Sequence, residues 1–143
     1  MSHTAWPALV SQRMAVPCVV GLAGSMSYAA NTLRLIVRAR PPKAIEQNMQ
    51  LAVYLIEDSI VSWQRDYSRT PNDLPNYMHK HMLRGQLAMV PAFLQAGTIN
   101  DKQQTFTITR TLNNPLSHYR AFAVLKGNGD EVMQVADIPL TGQ

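Results

Sequence analysis

The sequence predicts an α+β domain behind a basic, apolar leader, on three observations. Apolar residues recur at helical spacing between Lys43 and Tyr67, alternating residues begin at Thr105, and no acidic residue precedes Glu46. The division expected is a leader and linker over residues 1–42, then one α+β domain over 43–143. Such a domain lies within the common range of about 100–150 residues. Hydrophobic residues are 46% of the chain and charged ones 15%, enough apolar surface for a core and too much for disorder.

The leader comes first. Up to Lys43 there are five basic residues and no acidic one, whereas the remainder carries eight basic and nine acidic residues. The formal charge of +4 therefore belongs to the N-terminal part, and a nucleic-acid-binding surface on the domain is not expected. Met14 to Met26 is an apolar run behind Arg13, followed by Ser27-Tyr28-Ala29-Ala30. A charged start, a short apolar centre and a small-x-Ala exit describe a secretory signal cleaved after Ala29. The alternatives are a membrane anchor, an organelle transit peptide or a misplaced start. The run is short for a span and is interrupted by Pro17, Gly21 and Gly24. Cys18 is the sole cysteine, so no internal disulfide forms, and it reads as a buried apolar filler. Asn31–Arg40 reads either as a continuation of the leader or as a separate, membrane-proximal helix whose Arg34, Arg38 and Arg40 snorkel or meet lipid headgroups.

The long helix is the principal element. Ile45, Met49, Ala52, Ile56, Ile60, Trp63 and Tyr67 are spaced by three and four, one stripe of an amphipathic helix. Pro41-Pro42 marks its start, and the turn-forming Ser68–Asp73 its end. Ile56, Ile60 and Trp63 are expected to be buried, while Glu57 and Asp58 form a solvated edge.

Two short middle helices follow around Asn76–Leu83 and Gln86–Leu94, because Pro75, Gly85 and Pro91 forbid a continuous one. A three-stranded antiparallel meander closes the chain. Thr105–Thr111 alternates, Tyr119–Leu125 is apolar on both faces, and Val132–Ile138 ends at Pro139. Gly127-Asn128-Gly129-Asp130 is a hairpin turn, since its residues accept positive φ.

Little in the sequence carries chemistry. No glycine-rich loop precedes a helix, so no nucleotide is implied. His79-Lys80-His81 is the one metal-like feature, with Asp73 as the nearby third ligand of useful type, against the plainer reading of a surface loop. Ser117-His118 lacks a nucleophile elbow. Asn128 and Asp130 lack the further acidic ligands of a calcium site. The expectation is a non-enzymatic protein with no cofactor and no catalytic or metal-binding residue. The alternative is a small secreted metal-dependent enzyme using His79 and His81.

The run Ala52–Leu74 resembles the body of a type IV pilin or pseudopilin helix, with Trp63, Asp66, Pro71 and Leu74 at positions of its aromatic–acid–proline–leucine segment. This resemblance implies a pilin-like subunit or assembly component of a pilus or type II secretion apparatus. It implies protein partners, a membrane contact through the N-terminal segment, and a place in the periplasm or inner membrane of a bacterial envelope.

Overall fold

The computed structural model describes residues 6–142. One short helix, α1 (Trp6–Met14), precedes nine strands: β1 (Gly21–Ala29), β2 (Thr32–Arg40), β3 (Met49–Glu57), β4 (Ile60–Arg65), β5 (Asp73–His79), β6 (Met82–Leu94), β7 (Lys102–Thr109), β8 (Tyr119–Lys126) and β9 (Val132–Gly142). Seven of them form one sheet in the order β6-β3-β8-β9-β1-β2-β7, while β4 and β5 pair only with each other. Every pairing is antiparallel except β1 with β9. The large sheet curls until its edges approach, making a nearly closed barrel. Two contacts clasp the seam between β6 and β7. Lys102 lies over the Phe93 ring at 5.5 Å, and Arg110 Nη2 donates to the Arg84 carbonyl at 2.9 Å.

The core follows from period-two alternation. Leu33, Leu35, Val37 and Ala39 on β2, Leu51, Val53 and Leu55 on β3, and Ala121, Ala123 and Leu125 on β8 all point inward. Their outward neighbours are exposed or half-buried on β2 and β8, as expected for a sheet wetted on one face.

The expected α+β architecture is thus corrected to an almost wholly β fold. The stretch predicted as one long helix is β3, a break at Asp58-Ser59, and β4. Its inward residues Leu51, Val53 and Leu55 carry the period of two, but Ala52 and Ile56 on the opposite side are buried as well. A strand apolar on both faces satisfies a helical template too, and periodicity alone does not separate them. Ser59 then takes φ 61°, which ends the strand. The two middle helices are instead β5 and β6. Pro91 fits because β6 is an edge strand, where a missing N–H costs no ladder bond, and Gly85, at φ 139°, sits among the irregularities of register between β6 and β3.

The predicted meander is also rearranged. β8 and β9 form the hairpin that the Gly127–Asp130 turn signalled, but β7 crosses to the far edge and pairs with β2. Residues 21–40, read as part of the leader, supply β1 and β2 within the sheet. They are joined by Ala30 and Asn31, both at positive φ, the conformation of a tight hairpin. Asn31–Arg40 is therefore a strand segment, not a helix. Cys18 is exposed, its thiol 3.1 Å from the Val20 carbonyl, so it is no core filler. Among the described residues no helix is long and apolar enough to cross a membrane, a statement about helices alone.

Candidate functional site

Beyond Glu57 the β3–β6 ribbon breaks and resumes as the β4–β5 hairpin, which stands outside the large sheet. Ser59 and His81, at φ 61° and 54°, mark the two sides of the break. Cross-strand partners share a face, and Val61 pairs with Met78. Trp63 lies two residues from Val61 and so joins the same face. These side chains keep 58%, 51% and 53% of their surface in water for Val61, Met78 and Trp63. Arg65 caps the stripe, 5.4 Å from the Trp63 ring centre and 2.9 Å from Asp73. The other face carries Ser62 opposite Tyr77 and Ile60 opposite His79, with the Tyr77 and His79 rings edge to face at 4.9 Å. The expected burial of Trp63 is corrected by this geometry, Ile60 is half-buried, and Ile56 alone of the three is buried.

A polar socket pins the base of the hairpin. Glu57, the last residue of β3, points inward at the end of the barrel and is 3% exposed, the one buried charged side chain among the described residues. Arg84 Nε donates to its carboxylate at 2.5 Å, Asn114 donates to the other oxygen, and the Tyr119 hydroxyl also bonds it. Burial disfavours the ionised form of Glu57. The hydrogen bonds from Asn114, Arg84 and Tyr119, with the Arg84 charge, outweigh burial and hold its carboxyl below the usual range. Beside it, Asp58 accepts the His81 backbone N–H at 2.5 Å, and its own N–H donates to the His118 carbonyl at 2.8 Å. The solvated edge expected of Glu57 and Asp58 is instead this socket. A cleft of about 270 Å³ lined by Glu57, Arg84, Arg110, Asn114 and Tyr119 opens beside it. Both oxygens of the carboxylate there accept hydrogen bonds from within the fold.

The structure separates the metal-like residues. His79 sits on β5 and His81 beyond the break, 3.9 Å from Asp58. Asp73 lies at the opposite end of β5, six residues and about 20 Å along the strand. Among the described residues no three of His, Cys, Asp and Glu gather as a metal site. Asp130 lies 3.7 Å from Lys126, and His118 belongs to a single 3₁₀ turn.

Residues 1–141 match the family model for the outer membrane protein Omp28. The chain belongs to the Omp28 family. Membership places it among proteins of the bacterial cell envelope. It also corrects the pilin and pseudopilin resemblance: Trp63 and Leu74 are strand residues of the hairpin, Asp66 and Pro71 lie in its tip, and no pilin helix exists among the described residues. The fold of this Omp28-family chain is shared by the crystal structure of a domain of the outer membrane lipoprotein Omp28 from Porphyromonas gingivalis. That match has 17% identity and a TM-score of 0.60, covering 90% of this chain and 93% of that one. A β-glucosidase from Listeria innocua matches at 17% identity with a TM-score of 0.38, over 87% of this chain and 16% of that one, too low to carry any argument. No curated protein matches the chain.

Proposed function

We propose that this Omp28-family chain is a non-enzymatic envelope domain that binds a protein partner through the β4–β5 hairpin. One observation carries the reading: Val61, Trp63 and Met78 form an apolar stripe on strands that no other part of the sheet covers. An isolated two-stranded ribbon is marginal in water, and burial of its apolar face against a partner stabilises it. Tryptophan and arginine, side by side here as Trp63 and Arg65, are the side chains most enriched at interface hot spots. The domain from Porphyromonas gingivalis comes from an outer membrane lipoprotein, which supports attachment at the outer membrane for this chain as well.

The test is cross-linking and recovery of the full chain from envelope membranes, comparing wild type with Val61→Asp/Met78→Asp. Loss of one defined partner band at unchanged melting temperature is the expected result. Recovery of the same proteins by both forms refutes the hairpin as the contact. Stoichiometric metal in the purified protein, lost on replacing His79 and His81, overturns the non-enzymatic reading.

A further inference from the structure

The basic excess of the chain, which in sequence lies toward the N-terminus, collects in the fold on one side of the barrel. Strands β1, β2 and β7 carry Arg34, Arg38, Arg40 and Lys102 and no acidic residue. Without those four cations the chain has nine basic residues against nine acidic ones. Of these four, Arg34, Arg38 and Arg40 face outward, whereas Lys102 pairs with the inward Ala39 and lies over Phe93 at the seam.

Register places the arginines together on the outer surface. Leu33, Leu35, Val37 and Ala39 take the core side of β2, so Arg34, Arg38 and Arg40 face out. Their cross-strand neighbours on β1 are Ser27, Ala23 and Gly21, and those of Arg34 and Arg38 on β7 are Thr107 and Gln103. All are uncharged and most are short, so the guanidinium groups stand as a central ridge, with Ile36 between Arg34 and Arg38, on a flat uncharged surface. Arg34 and Arg38 form no ion pair with a described residue, and Arg38 donates to Gln103 Oε1 at 2.7 Å. Arg40 is tied to Asp101 at 2.9 Å, and Asp137 on the neighbouring β9 is held by Arg120 at 2.8 Å. At the Arg38–Arg40 end the surface dips into an open trough of about 620 Å³ floored by Gly21 and Ala23.

We propose that the outer face of β1, β2 and β7 docks on an anionic, phosphate-bearing membrane surface. The ridge spreads its charges along one strand, with about 13 Å from Arg34 to Arg38 and about 7 Å from Arg38 to Arg40 at the rise of a strand. That layout suits a plane of headgroups better than one small anion. Arginine forks and flanking hydroxyls supply the donors that phosphate oxygens accept. The outward side has no aromatic ring, because Tyr28 and Phe106 pair with the inward Leu33 and Leu35. A single-stranded nucleic acid therefore finds no stacking platform there. Membership of an outer membrane protein family brings the chain to a lipid surface in the first place. This inference is independent of the hairpin.

Sedimentation of the full chain with phosphatidylcholine vesicles, with and without phosphatidylglycerol, tests it. Binding is expected only with phosphatidylglycerol and weakens as salt rises. Arg34→Gln/Arg38→Gln should lower the affinity about 30-fold, at about 1 kcal/mol for each basic residue near an anionic surface. The control Arg69→Gln/Lys80→Gln, equal in charge and exposed at the β4–β5 hairpin, should change it far less. An equal loss in both double variants, or no binding to phosphatidylglycerol vesicles, overturns the proposal. So does full competition by inorganic phosphate, which indicates a small-anion site, or binding of a DNA duplex in place of vesicles.

Discussion

At the scale of single residues, Glu57 is the position where context reverses the plain expectation for the side chain. A glutamate followed by an aspartate reads as a water-facing edge, yet Glu57 is buried and Asp58, one step on, is partly exposed. Alternation puts neighbours on opposite faces of a strand, so the first falls inside the barrel end, where Arg84, Asn114 and Tyr119 meet it. No local signal in the sequence gathers those partners, since they come from β6, a loop and β8. The lowered native pKa fixes the sign of a pH effect. A carboxylate whose folded pKa is depressed contributes stability that is present above its ordinary value near 4.5 and is lost as pH falls through the native value. Chemical denaturation of wild type should therefore show stability declining on acidification below that point. In Glu57→Gln this part of the decline should be missing. A variant that declines in parallel with wild type removes Glu57 as the source.

At the scale of elements, the contrast lies between strands inside the barrel and those outside it. β3 is hydrogen-bonded on both sides, to β6 and β8, and its inward side chains are buried. β4 and β5 have one partner each and no buried residue. Amides open most readily where few apolar contacts hold them. Hydrogen exchange should show the pairs Val61–Met78 and Ser62–Tyr77 of the hairpin exchanging well ahead of Leu51–Leu125 and Val53–Ala123 in the sheet. Comparable protection in both sets contradicts an uncovered hairpin and requires a contact over Trp63. The same contrast explains the misread helix. Spacings of three and four from Ile45 to Tyr67 are real, but they join a core strand to a projecting one, and the burial that a helix stripe implies stops at Ile60.

For the whole molecule, the parallel pairing of β1 with β9 is the contact that holds the two halves of the large sheet together. It joins the first strand of the chain to the last, through Met26 beside Leu140 and Ser27 beside Thr141. Removing β1 leaves β2 and β9 each with an unpaired edge and takes buried Met26 from the core. A chain beginning at Ala30, the product expected of signal cleavage after Ala29, should lack the cooperative thermal unfolding of the full chain and should aggregate through its open edges. A sharp melting transition in that truncated form would show that β1 is dispensable and would support a cleaved leader.

Much of the local chemistry was legible beforehand. The Gly127–Asp130 turn lies between β8 and β9, with Gly129 at φ 66° and Asp130 at φ 61°, a conformation that glycine and aspartate accept more readily than most residues. Alternation at Thr105–Thr109 marks a strand that is exposed on one side, a pattern set by the backbone's period of two. The acid-free basic stretch was equally visible as a charge imbalance. Each is a property of neighbouring residues. What tertiary structure alone decided is where those pieces go. It set β7 beside β2 and not beside β8, turned Arg34, Arg38 and Arg40 into one ridge, and left Trp63 in water while enclosing Glu57. Strand pairing joins residues far apart in the chain, and a strand's own sequence specifies which faces are apolar without specifying the neighbour that covers them.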